Sequence, residues 1–151
     1  MAKVVNKRKF NIRKLKKTKG KPTIRAKKCS QDGINFDSKS ELFCYNLLKS
    51  NGLYGVGKFI REPETYTIVE GFTYMGKKLR PIQVTPDFVD ENKKIVIEIK
   101  GWATPVFDMR WKLFKRFLLL NNKEYKLYVV RATQKDMIET INKIKKEYYG
   151  K

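Results

Sequence analysis

Residues 85 to 102 read Thr85-Pro86-Asp87-Phe88-Val89-Asp90-Glu91-Asn92-Lys93-Lys94-Ile95-Val96-Ile97-Glu98-Ile99-Lys100-Gly101-Trp102, two β-rich runs separated by a polar turn. Such runs on either side of a short polar loop predict a β-hairpin. Pairing Asp90 with Ile95 across the turn places Asp87 directly opposite Glu98. Opposed Cβ atoms lie about 4.5–5.5 Å apart, and like charges so placed destabilise a sheet. A divalent cation that prefers oxygen offsets that repulsion, and Mg²⁺ takes one or two carboxylates while leaving other positions to water and phosphate. Salt bridges to neighbouring lysines are the plainer alternative, because alternating acids and bases also describe a solvated strand face. Glu98 and Lys100, two apart, project from one face, and Ile97 and Ile99 from the other. In a phosphodiester hydrolase, a cation there would polarise phosphate and acidify a water. The lysine would orient that water or steady the transition state. The chain has no histidine, which disfavours imidazole base catalysis.

Working outward, Asp37-Ser38-Lys39-Ser40-Glu41 opens a helix, with Ser38 and Glu41 spaced as a capping box. Leu42, Tyr45 and Leu48, flanked by Phe43, Cys44 and Leu47, give it a broad apolar stripe ending near Asn51-Gly52. Gly52, Gly55 and Gly57 mark a loop; Thr65 to Val69 and Phe72 to Met75 read as β segments with a hairpin-like break at Glu70-Gly71. Ile82 to Val89 is expected to run as the first strand of the central hairpin. Beyond it, Phe107, Trp111, Phe114 and Leu118 recur at helical spacing from Pro105 to Asn121-Asn122. Tyr125 to Val130 is a strand. Thr133 to Tyr149 is a last helix, with Met137, Ile141, Ile144 and Tyr148 on one face and Lys143, Lys145 and Lys146 outside. This order predicts an α/β fold, a mixed β-sheet flanked by α-helices. Trp102 and Trp111 are expected to pack in the core or on the hairpin rather than to stack on bases.

The 151 residues, 41% of them hydrophobic, suffice for one core. Charge is unevenly spread: 35 Lys and Arg against 15 Asp and Glu give +20, and thirteen of the bases precede Cys29 without a single acid. The chain therefore divides into a basic arm, residues 1–28, and a domain, residues 29–151. The arm has no core of its own and is expected to be flexible when free. Lys7, Arg8, Lys9, Arg13, Lys14, Lys16 and Lys17 would hold a nucleic-acid backbone. A solubilising tail is the bland alternative; a transit peptide fits poorly with ten Lys to three Arg and no Ser before Ser30. Arg110, Lys112, Lys115 and Arg116 are further candidates for phosphate contact, against an ordinary solvated helix face. No apolar run is long enough for a membrane span and no secretory signal opens the chain, so a soluble protein inside the cell is expected. Cys29 and Cys44, with no CxxC, read as reduced thiols.

Pro86-Asp87, a short loop and Glu98-Ile99-Lys100 resemble the PD-(D/E)XK nuclease superfamily. TPDFVDENKKIVIEIKGW is similar to the corresponding hairpin of the phage junction-resolving endonuclease I group. DGINFDSKSELFCYNLL followed by KKLRPIQVTPDF is similar to small phage proteins assigned to the same superfamily. The resemblance covers roughly Gln31 to Val130 and implies a restriction-endonuclease-like fold. It implies Asp87, Glu98 and the main-chain carbonyl of Ile99 as metal ligands and Lys100 as the water-orienting or charge-stabilising residue. Glu41 would be the helix-borne glutamate that completes many such sites. The implied activity is a Mg²⁺-dependent DNA endonuclease of phage or mobile-element type, with Mn²⁺ able to substitute, acting on duplex or branched DNA in the cytoplasm of a bacterial host. A Holliday junction-resolving role would call for a homodimer. A site-specific, homing-type endonuclease is the nearest enzymatic rival, and a non-catalytic basic nucleic-acid binder is the rival from another class.

Overall fold

A computed structural model describes residues 27–150; Lys7, Arg8, Lys9, Arg13, Lys14, Lys16 and Lys17 of the arm lie outside the described residues. The elements run β1 (Cys29–Gln31), β2 (Ile34–Phe36), α1 (Lys39–Ser50), β3 (Ile60–Arg61), β4 (Tyr66–Val69), β5 (Phe72–Tyr74) and β6 (Lys77–Leu79). They continue with β7 (Ile82–Val84), β8 (Phe88–Asp90), β9 (Ile95–Lys100), α2 (Pro105–Leu120), β10 (Lys126–Arg131) and α3 (Gln134–Tyr149). The architecture is mixed α/β.

Four strands form the central sheet in the order β10-β9-β8-β3. β8 and β9 are antiparallel with Phe88 opposite Ile97, Val89 opposite Val96 and Asp90 opposite Ile95, the register expected from the turn. β10 lies parallel to β9, from Lys126 opposite Ile95 to Arg131 opposite Lys100, with α2 as the crossover that a parallel pair requires. Alternation along β9 divides the interior. Ile95, Ile97 and Ile99, with Phe88, join one core with Leu48 of α1 and Ile141 and Ile144 of α3. Val96, with Val89, joins another with Trp111, Phe114 and Leu118 of α2. A strand covered on both faces reads as a nearly unbroken apolar run, and each side chain so buried contributes about 1.5–3 kcal/mol. Glu98 is the one charged side chain within that buried run.

The hydroxyls of Ser38, Thr104 and Thr133 each accept the N–H three residues on, at 3.2 Å, which caps α1, α2 and α3. At the hairpin turn the fully buried Asp90 accepts Lys93 N–H at 2.9 Å and the hydroxyl of Tyr149, tying the end of α3 to the loop between β8 and β9. Lys145, expected to point outward, instead donates to Asn51 Oδ1 at 3.1 Å and links α3 to the end of α1.

Several local expectations are corrected. Ile82 to Val89 is not one strand: β7 ends at Val84 and β8 begins at Phe88, because Pro86 has no N–H for a ladder. The reversal expected at Glu70-Gly71 lies at Met75-Gly76, where φ values of 47° and 79° form a two-residue turn between β5 and β6. β4 pairs with β7 outside that turn, so the four strands form nested ribbons. β1 and β2 pair across Asp32-Gly33, also at positive φ. Asp32 then accepts Tyr45 Oη at 2.8 Å and Lys49 Nζ at 2.7 Å, fastening this hairpin to α1. Trp111 is buried as expected, but Trp102 is 84% exposed, since it follows the end of β9 and no element among the described residues covers it. Among the described residues no helix is long and apolar enough to cross a membrane.

Candidate active site

The break at Pro86 releases Asp87 from the ladder while leaving it one step beyond Phe88, and continuing the register sets it opposite Glu98. Its carboxylate does not swing away. Asp87 Oδ2 accepts the main-chain N–H of Ile99 at 2.6 Å, and its carbonyl accepts the N–H of Glu62 at 2.9 Å. Ile99 thus holds Asp87 through its backbone while its side chain is buried in the opposite core. Two positions before Lys100 on the same strand face, Glu98 is 7% exposed, and its Oε1 accepts Lys100 Nζ at 2.7 Å. The ammonium also lies 4.4 Å from the centre of the Phe107 ring, on the first turn of α2. Glu98 Oε2 is buried with no hydrogen-bond partner among the described residues.

Electrostatics follow from this crowding. Burial, then the charge of Glu98, pushes the Asp87 carboxyl up to about 8; Glu41 adds to the rise, while the Ile99 N–H and Lys100 oppose it. Burial also raises Glu98, against the hydrogen bond and charge of Lys100. Two carboxyls that both resist ionisation share protons as a pair unless a cation replaces them.

On the α1 side, Glu41 accepts Ser38 Oγ at 2.9 Å and the N–H of Asp37 at 3.2 Å, so the helix-opening role is present. Its Oε2 also meets Arg61 at 3.2 Å, and Arg61 reaches Glu62 at 2.7 Å. Glu41, Glu62 and Asp87 each offer a carboxylate oxygen within 4.8 Å of the others. Glu62 is an addition to the residues expected from sequence. It stands just after β3 with φ of 43° and ahead of Pro63, and it joins the cluster through its main-chain bond to Asp87, a long-range contact with no local signature.

The three clustered donors are the carboxylate oxygens of Glu41, Glu62 and Asp87, a set suited to Mg²⁺ or Mn²⁺ rather than to a soft metal; Glu98, whose Oε2 is orphaned, lies outside that cluster. The nearby Cys44 thiol adds nothing: burial, then the Asp87 charge, pushes it up to about 12. Cys29 and Cys44 are both free. Arg110, Lys112 and Arg116 are exposed positions of α2. No acid among the described residues forms a salt bridge with them.

A family model described as a protein of unknown function (DUF1064) matches residues 21–136. No curated protein and no solved structure matches the chain.

Proposed function

The chain belongs to the DUF1064 family, and we propose that it is a metal-dependent DNA endonuclease with a restriction-endonuclease-like arrangement of its sheet and helices. One observation carries the reading: Glu98 Oε2 is buried without a partner beside Asp87, whose own carboxyl is held far above the usual carboxylate range. A fold that only binds nucleic acid gains nothing from burying opposed acids beside its polyanionic ligand. Asp87 and Glu98 would hold the cation, with the Ile99 carbonyl adjoining and Glu41 and Glu62 beside them. Mg²⁺ or Mn²⁺ in such a site supplies positive charge beside a phosphate and acidifies a water.

The chain's own residues supply the rest. The Ile99 N–H fixes the direction of the Asp87 carboxylate. Lys100, anchored by Glu98 and by the Phe107 ring, retains ammonium protons with which to orient a water or meet charge on the phosphate. Arg61 offsets one of the two charges of Glu41 and Glu62, which lessens the repulsion of nucleic acid by the acidic side of the site. Arm lysines and arginines and the bases of α2 would hold the backbone.

The test is cleavage by the full chain of duplex, four-way junction and single-stranded DNA, with Mg²⁺ and with chelator, alongside Asp87→Ala and Glu98→Ala. Cation-dependent cutting by the wild type alone, with DNA binding retained in the variants, is expected. Equal cutting by all three proteins, or binding with no cation-dependent cutting on any substrate, removes the proposal and favours a binder. Preference for the junction over random duplex would select a junction-resolving homodimer; dependence on one sequence would select a homing-type enzyme.

A further inference from the structure

The parallel ladder of β9 and β10 extends the face that carries the carboxylates. Glu98 is paired with Val129 and Lys100 with Arg131, and paired residues of neighbouring strands project to the same side. Just past the carboxyl ends of these two strands is a cleft of 660 Å³, lined by Lys100, Trp102, Val129, Arg131 and Thr133 among others, a volume typical of a small-molecule site.

Its chemistry is specific. Trp102 is 84% exposed, whereas the chain's other tryptophan, Trp111, is 7% exposed. Val129, 45% exposed, gives the cleft an apolar wall. Arg131 forms no salt bridge with an acid among the described residues. An indole, an apolar wall and an unpaired guanidinium therefore adjoin Lys100. Aromatic faces take nucleobases at about 1–3 kcal/mol per stacked base, and guanidinium groups take phosphate in paired hydrogen bonds. Bases inside a duplex are already stacked on their neighbours and offer no free face.

We infer that this cleft takes an unpaired nucleotide flanking the scissile phosphate, its base stacked on Trp102 and its phosphate on Arg131. The position beside the cut rests on the proposed endonuclease activity; occupancy of the cleft does not. The substrate class is then DNA with single-stranded nucleotides, as at a branch or a frayed end, rather than uninterrupted duplex.

The two tryptophans make the cleft observable. Full-length protein in chelator, where no cation-dependent cutting occurs, is titrated with short oligothymidylate and with blunt duplex, following tryptophan emission and the anisotropy of a labelled strand. Single strands should quench the exposed Trp102 emission and duplex should not. Trp102→Ala should bind single strands about tenfold more weakly, with Trp102→Phe close to wild type. Arg131→Ala should bind more weakly, with the log–log salt slope reduced by about 0.7 for the one phosphate that Arg131 neutralises. Because Trp102 is exposed, its variants should melt like wild type. The inference is overturned if single strands saturate the anisotropy without changing Trp102 emission, if duplex quenches equally, or if Trp102→Ala binds as wild type does. Loss of cleavage in the Asp87 variant is a separate measurement, so failure of the cleft and failure of the nuclease reading are distinguishable.

Discussion

Replacing Asp87 with Asn should make the metal-free protein more stable while destroying its response to metal. The wild-type carboxyl moves from its ordinary 3.8 to about 8 on folding, and each tenfold change in proton affinity is worth about 1.4 kcal/mol, so the ceiling is about 6 kcal/mol. Asp87 keeps partial contact with water and its surroundings relax, which brings the working expectation down to about 2 kcal/mol. For a domain of this size that is a rise in Tm of roughly 6 °C. Asn keeps an oxygen for the Ile99 N–H, so that hydrogen bond survives. The sign with pH follows from the raised value. The contribution is fully favourable below the unfolded value near 3.8 and is lost as pH rises through about 8, where the unfolded chain ionises freely and the folded one resists. Metal-free wild type should therefore melt progressively lower from pH 5 to pH 8.5, and Asp87→Asn should show a flatter profile. With Mn²⁺ added at pH 8, wild type should gain stability and the variant should not. Thermal melts of both proteins, with chelator and with Mn²⁺ across that range, provide the measurement. A variant less stable than wild type at pH 8 in chelator, or equal Mn²⁺ stabilisation of both, refutes the reasoning.

Lys100→Met keeps the aliphatic stem but loses the ammonium; cleavage should fall about 10²–10³-fold while Mn²⁺ stabilisation persists, measured by single-turnover cutting and melts. Deleting residues 2–28 should weaken DNA binding at low salt and flatten its log–log salt dependence by about 0.9 for each phosphate no longer neutralised, read by anisotropy across a salt series. An unchanged slope would take the arm out of the interface. Tyr149→Phe leaves an oxygen of buried Asp90 without its hydroxyl donor and should cost about 1–3 kcal/mol in denaturant unfolding.

The hairpin is legible because its information is local. The turn Glu91 to Lys94 and the alternation of β9 determine the register up to Phe88 opposite Ile97, and one further step along it brings Asp87 level with Glu98. Likewise the stripes of α1, α2 and α3 report their own buried faces. Glu62 is not legible, since its place beside Glu41 and Asp87 depends on a two-residue strand pairing with β8 and on Arg61 reaching both glutamates. The nested ribbons depend on which of several short strands find each other. Met75-Gly76 lacks the Asn or Asp that usually announces such a turn, whereas Asp32-Gly33 carries that signal but is flanked by strands of only three residues, too short to show a period. Trp102 shows the limit of hydrophobicity as a guide: the same residue type at position 111 lies under a sheet and at position 102 is 84% exposed.

The bond between Tyr149 and Asp90 makes the end of α3 a support for the carboxylate-bearing hairpin. The loop it braces joins β9, which carries Glu98, to β8, which Asp87 immediately precedes, so a chain cut short ahead of Tyr149 would slacken this hairpin from behind without altering any residue of the carboxylate cluster. Such a truncation should mimic a substitution at Asp87 or Glu98 and be mistaken for one in a genetic screen.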